Sequence, residues 1–305
     1  MPFSIEKIET VLATRIEENY QLEKAMGWEE GKIEKKIGIK KRFLYSSNES
    51  TEELAVKSIN KIKNSVKLDN LGLIISVTNT PTSLFPSLSH LLSSELDIKN
   101  DIHCLGLNSG CSGYVDALIV AEKYINDEKC DAIIITSDTY SRYIKKNDYS
   151  IRPLFSDGST ATFLKYLRNG KVIKKKITST EKNTSDFLKG QKNKNGQYEI
   201  HMNGPKVLLY AINKVLPNIK KLLNKKVKTI FLHQAGSIVI DRITKNIDKD
   251  KCIPINYPEL GNLVSSSIPF VMEENFNLLN DKCDILISGF GVGLSQSHIV
   301  IGDKD

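Results

Sequence analysis

Tryptophan occurs once in this 305-residue sequence, at position 28, and proline only nine times. Composition is far from the collagen-like and disordered extremes, because 40% of the residues are hydrophobic and 26% charged. The five cysteines (Cys104, Cys111, Cys130, Cys252, Cys283) form no CxxC pair. An odd, scattered set speaks against a disulfide framework and a zinc site, so no metal is expected. Four of them, all but Cys111, lie in or beside apolar runs and read as small buried hydrophobes. No apolar run is long enough to span a bilayer, and no basic region followed by an apolar core opens the chain. The expectation is a soluble cytoplasmic protein. Helix-turn-helix, zinc-finger and ribonucleoprotein patterns are missing too. The net charge of +7 therefore reads as a lysine-rich solvated surface, with attraction of an acidic partner as the functional alternative and nucleic acid disfavoured.

What is present is an alternation. Short apolar runs at 71–77, 102–107, 132–136, 160–164, 229–232, 285–288 and 298–301 read as buried strands. Amphipathic stretches at 50–65, 87–96, 112–126, 204–223 and 266–279 read as helices. Together they predict an α/β protein with helices covering a mostly parallel sheet. Residues 130–135 (CDAIII) resemble residues 283–288 (CDILIS), an offset of 283 − 130 = 153. The same offset carries Cys111 to position 264, inside the small-residue segment 261–267, and both segments precede a helix and then a Cys-Asp strand. Two features in one order at one offset point to duplication. The Lys/Asn/Thr-rich stretch 171–196 reads as a surface connection between the halves.

Four segments carry chemistry. In 108–114 (NSGCSGY) a strand enters a small-residue turn and a helix follows, which puts Cys111 near a helix N-terminus, where a thiolate is favoured and glycines let a carbonyl approach. In 229–235 (TIFLHQA) a strand delivers His233 at its end. Asn262 follows Gly261 ahead of a serine run, and 289–293 (GFGVG) is a glycine turn between two strands. Singly, each has a plain structural reading: a buried cysteine, a core histidine, a helix-cap asparagine, a tight turn.

Jointly and in this order, the four resemble the β-ketoacyl-ACP synthase III family of thiolase-superfamily condensing enzymes. The resemblance runs nearly end to end: 37–42 (IGIKKR) looks like its TGIxxR segment, 154–158 (LFSDG) like FGDGA, 202–204 like MNG, 233–235 like HQAN, and 261–262 like GNT. It implies a thiolase fold of two duplicated α/β halves, 1–168 with the nucleophile and 169–305 with His233 and Asn262, each a mixed five-stranded sheet in an αβαβα layering. It implies Cys111 as acyl acceptor, with His233 and Asn262 stabilising the enolate left by decarboxylation of malonyl-ACP, and backbone N–H groups of Cys111 and Val292 as oxyanion hole. Phe85, Leu208, Leu209 and Phe290 would line the substrate tunnel, with Phe85 near a partner's acyl pocket in a homodimer. Lys206, Lys214 and Arg242 would meet an acidic carrier protein; acyl carrier protein or coenzyme A thioesters would be substrates, and no resident cofactor is implied.

The departures are specific. The HQAN asparagine is Gly236, the arginine two residues on is Ile238, the adenine-stacking tryptophan is Lys32, and the arginine before TGI is Lys36. They suggest a specialised lipid, polysaccharide or secondary-metabolite pathway. Acyl transfer to an amine or hydroxyl without decarboxylation is the alternative; a catalytically dead partner subunit is disfavoured by the intact Gly-Cys-Ser-Gly frame.

Overall fold

The structure, a computed structural model, describes residues 3–96, 98, 101–280 and 282–304. The chain opens with β1 (Phe3–Leu12), β2 (Arg15–Glu18), α1 (Asn19–Met26), α2 (Lys32–Ile37), β3 (Lys41–Leu44) and α3 (Thr51–Ser65). Helix α3 begins with a capping box, Ser50 and Glu53 exchanging bonds with each other's backbone. Next come β4 (Leu71–Val77), α4 (Leu88–Ser93), β5 (His103–Leu107), α5 (Gly113–Glu128), β6 (Asp131–Asp138) and β7 (Gly158–Tyr166). The remainder holds β8 (Lys171–Thr180), β9 (Leu188–Lys192), β10 (Tyr198–Met202), α6 (Gly204–Tyr210), α7 (Leu216–Leu222), β11 (Val227–Leu232), α8 (Ser237–Thr244), α9 (Tyr257–Leu260), α10 (Ser267–Glu274), β12 (Asp284–Gly291) and β13 (Ser295–Asp303).

The large sheet runs β11-β12-β13-β8-β1-β7-β6-β4-β5. Among the described residues its two parts pair at Phe3 and Lys171 alone. On one side β4 pairs parallel with β5 and β6, then β6, β7 and β1 run antiparallel; on the other β11 pairs parallel with β12, then β12, β13 and β8 run antiparallel. The second part thus repeats the first, and the sheets are mixed as the thiolase fold requires. Its fifth strand is reduced to one bridge, Thr229 to Cys252. The duplication extends to the turns: a 3-10 turn at Gly110–Ser112 leads into α5, and one at Val264–Ser266 leads into α10. Both turns open with φ +53°, on glycine in the first and on β-branched valine in the second.

Three apolar clusters explain the five layers. Tyr114 and Leu118 of α5 and Ile268 and Met272 of α10 share a core with Ile75 of β4 and Ile287 of β12, so these helices lie between the sheets. Ile59 and Ile62 of α3 cover the outer face of the first sheet, and Ile219 and Ile240 of α7 and α8 cover that of the second. No helix among the described residues is long and apolar enough to cross a membrane.

Two readings of the sequence need correction. The stretch 171–196 is no simple connection: it supplies all of β8, nine of whose residues pair with β13, and all of β9. Lysine-rich β8 is half exposed, so backbone pairing rather than apolar burial holds it. Nor is the sheet mostly parallel: among the described strands β4–β5, β4–β6 and β11–β12 pair parallel, and the other pairings of the large sheet are antiparallel.

Arg42 of β3 is fully buried, its Nε 3.5 Å from Glu17 Oε2, and Glu17 also pairs with Arg152. These ion pairs tie the antiparallel β2–β3 pair to the segment 148–155 that walls the cavity described next. Arg42→Ala leaves the buried Glu17 with Arg152 alone, and should cost about 3 kcal/mol. The expected result in a thermal melt is a Tm lowered by roughly 5–10 °C.

Candidate active site

Cys111, His233 and Asn262 line one cavity of about 940 Å³, from three well-separated parts of the chain. All three are buried, at 4%, 2% and 6% exposure, while the rim of the cavity includes half-buried Trp28 and exposed Lys36 and Ile238.

Cys111 sits in the turn between β5 and α5. The glycines around it serve the protein's own packing rather than an approaching substrate. A Cβ at Gly110 would lie 2.4 Å from Asn79 Oδ1, and one at Gly113 2.4 Å from Val77 Cγ1. A Cβ at Gly291, where β12 ends, would lie 2.9 Å from Cys111 Sγ. The backbone N–H groups of Cys111 and Val292 lie against this sulfur and favour its anion. Burial, helped by the charge of Asp138, outweighs them and pushes the thiol up to about 12. The sequence reading expected a thiolate at the helix N-terminus; the resting group is a thiol.

His233 follows β11, and its backbone N–H donates to Ser288 O of β12 at 2.9 Å. Its ring meets Phe290 edge to face at 5.6 Å. Burial lowers the imidazole to about 3, so it is neutral at physiological pH. Its Nδ1 is buried and has no hydrogen-bond partner in the structure. Gly236 adopts φ 98°, ψ 167°, a backbone region open essentially to glycine alone. The nearest atom to a Cβ there would be 3.5 Å away. Conformation rather than crowding thus selects glycine at this departure from HQAN. The His233 imidazole resonances should not move between pH 5 and 8 in a long-range ¹H–¹⁵N spectrum; a midpoint near 6.5 would contradict this.

Asn262 is clamped by its backbone, donating to Leu154 O and accepting from Ser156 N, both at 2.9 Å. Its Oδ1 accepts from Val264 N at 2.9 Å and Ser267 Oγ at 3.4 Å. With the oxygen engaged by the turn, Nδ2 is the end of the amide left to donate. The site thus brings together a thiol, a neutral imidazole, an amide and backbone donors, with no cation among the described residues paired to the three side chains. That set suits stabilising negative charge that develops on a carbonyl oxygen.

The other sequence candidates separate. Leu208 and Phe290 line the cavity. Leu209, 52% exposed one position along α6, turns to solvent and does not. Phe85 is 84% exposed and projects away from this chain's own cavity. Lys206 lies over the Phe187 ring at 5.6 Å, Lys214 is 3.6 Å from Glu181, and Arg242 is exposed on α8. Trp28, four positions before Lys32, reaches the rim, with Lys32 Nζ 4.7 Å and Lys36 Nζ 5.8 Å from its ring centroid. Asp138, close to the nucleophile and fully buried, went unnoticed, because a strand-terminal Ser-Asp carries no sequence signal.

Two family models match the chain: 3-oxoacyl-[acyl-carrier-protein] synthase III over residues 105–181, and its C-terminal counterpart over residues 219–302, together just over half of the chain. The β-ketoacyl-[acyl-carrier-protein] synthase III of Streptococcus pneumoniae (strain Hungary19A-6) is 27% identical over 305 residues, covering 93% of this chain and 94% of its own. A solved 3-oxoacyl-(acyl-carrier-protein) synthase III is similar at TM-score 0.89 and 25% identity, over 99% of this chain and 100% of its own. The priming β-ketosynthase of the R1128 polyketide pathway shares the fold at TM-score 0.89 with 18% identity, over 100% of this chain and 97% of its own.

Proposed function

Because the chain belongs to the 3-oxoacyl-[acyl-carrier-protein] synthase III family, and is thereby an acyltransferase of the condensing type, we propose that it elongates a Cys111-bound acyl group with a malonyl thioester. The reading rests on one observation: a buried thiol touched by two backbone N–H groups shares a cavity with a neutral imidazole and an amide whose oxygen is already engaged.

In acylation, the Cys111 sulfur attacks the thioester carbonyl of an acyl donor, the Cys111 and Val292 N–H groups receive the oxyanion, and the donor's thiol leaves. The thiol proton goes to the departing sulfur, so the donor's thiol leaves neutral and His233 stays a neutral imidazole throughout. Malonyl thioester then loses CO2. The C–C bond electrons form an enolate whose oxygen accepts hydrogen bonds from His233 and Asn262 Nδ2. The enolate carbon attacks the acyl carbonyl, the 3-oxoacyl thioester forms, and Cys111 leaves as thiolate and takes a proton from solvent. Acyl carrier protein or coenzyme A carries the thioesters, in a specialised pathway suggested by the altered rim. The test is incubation with acyl- and malonyl-carrier proteins: CO2 release by wild type without chain extension would overturn condensation.

The functional unit in this reading is a homodimer. Strand β5 is an open edge of the large sheet, and in the segment between β4 and α4, the helix that packs on β5, Leu84 and Phe85 are each 84% exposed. Light scattering should give twice the 34.2 kDa chain mass, and Phe85→Asp should shift the population towards monomer.

A further inference from the structure

Asp138 ends β6 with no exposed surface, and its two oxygens serve different segments. Oδ1 accepts from Asn79 N at 2.8 Å, Thr80 Oγ1 at 3.2 Å and Thr78 Oγ1 at 3.3 Å. Oδ2 accepts from Ser265 Oγ at 2.5 Å and Ser265 N at 3.4 Å.

The first set leads to the nucleophile. Asn79 Oδ1 accepts from Tyr140 Oη at 2.9 Å, and Asn79 Nδ2 donates to Asn108 Oδ1, at the entrance to the Cys111 turn. The same Asn79 oxygen occupies the space a Cβ on Gly110 would take. Asn79 is therefore the wall against which the turn preceding Cys111 is set.

The second set leads to Asn262. Between Asn262 and Ser265 stands Val264 at φ +53°, a left-handed conformation that a β-branched residue keeps only when its surroundings hold it. Val264 N is the donor that engages Asn262 Oδ1. Ser265, bonded to Asp138 through both its hydroxyl and its N–H, holds that strained turn from its far side.

We propose that Asp138 is a positioning residue for both half-reactions, one oxygen fixing the Cys111 turn through Asn79 and the other fixing the donor end of Asn262 through Ser265. The assignment rests on the condensing function proposed above. Electrostatics alone does not explain the carboxylate: its charge pushes the Cys111 thiol up, against nucleophilicity, and its own burial pushes it up to about 6. What it contributes is geometry, through five hydrogen bonds to two loops.

The two arms make the test. Acyl-Cys111 formation is followed by intact-protein mass against time, and CO2 release from malonyl-carrier protein is followed separately. Asn79→Ala should slow acylation by roughly 10- to 100-fold and leave CO2 release within about threefold. Ser265→Ala should do the reverse. Asp138→Asn should slow both, through kcat rather than KM, since no group that binds substrate is removed. Equal losses in both half-reactions for Asn79→Ala and Ser265→Ala, or no loss in either, overturn the proposal, whether or not Asp138→Asn folds. A wild-type protein that acylates but never releases CO2 refutes the condensing reading instead, and the proposal is then judged on acylation, where Asn79→Ala must still fall and Ser265→Ala must not. A wild type that does neither counts against both.

Discussion

Cys111→Ala will form no acyl adduct and will extend no chain, a loss of roughly ten thousand-fold or more, while still releasing CO2 from malonyl-carrier protein. The prediction separates two tasks that share one cavity. Acyl transfer needs the sulfur itself, and Cys111 alone of the described cysteines lines the cavity. Decarboxylation needs only donors aimed at the thioester oxygen, which in the proposed reading belong to His233 and Asn262. The substitution is mild for the fold. It removes one buried sulfur from a turn braced by Asn79, Val292 and Gly291, and alanine has no polar group to strand there. A melting temperature within a few degrees of wild type, together with a mass spectrum free of adduct, is the expected pair. An adduct that persists on the alanine variant would place the nucleophile elsewhere, and a loss of CO2 release equal to the loss of extension would mean the two steps are not separable.

Much of this arrangement is legible in the sequence, for identifiable reasons. Strands β4, β6 and β12 are buried on both faces and read as unbroken apolar runs, so they stand out. The Cys-Asp entry shared by β6 and β12 exposes the duplication at an offset of 153, and the structure extends that duplication to the turns before α5 and α10. What escapes the sequence is whatever depends on backbone pairing or on distance through space. Strand β8 reads as a loop because lysines cover its exposed side while β13 supplies its partners. The protonation of Cys111 escapes because the helix N-terminus visible in the sequence favours thiolate, whereas the burial that decides against it is three-dimensional. Gly236 reads as a missing HQAN asparagine; its φ of 98° shows that the backbone itself takes a path open to glycine there, beside the unpartnered Nδ1 of His233. Asp138 escapes altogether, since its partners at 78–80 and 265 lie far from it along the chain.

Asn262→Asp and Asn262→Ala together decide whether the amide works as a donor. In the structure Asn262 Oδ1 is committed to Val264 N and Ser267 Oγ, and that commitment leaves Nδ2 as the end of the amide able to donate to a substrate. Aspartate keeps the acceptor that the strained Val264 turn requires and replaces only the donor, so the fold should survive with little loss of stability. The new carboxylate oxygen would face an enolate oxygen with like charge. CO2 release should therefore fall by roughly 100- to 1000-fold in Asn262→Asp, the scale for removing one donor from a developing oxyanion. Acylation of Cys111 should change far less, because in the proposed reading its oxyanion is received by the Cys111 and Val292 N–H groups, which lie against the sulfur. Alanine removes donor and acceptor alike, so it should lose as much CO2 release and also lower the melting temperature, through the freed Val264 N–H. If aspartate decarboxylates as well as asparagine, Nδ2 is not the donor, and enolate stabilisation falls to His233 alone. If alanine instead melts like wild type, the Oδ1 bond to Val264 is not what holds the turn, and the orientation of the amide loses its physical cause.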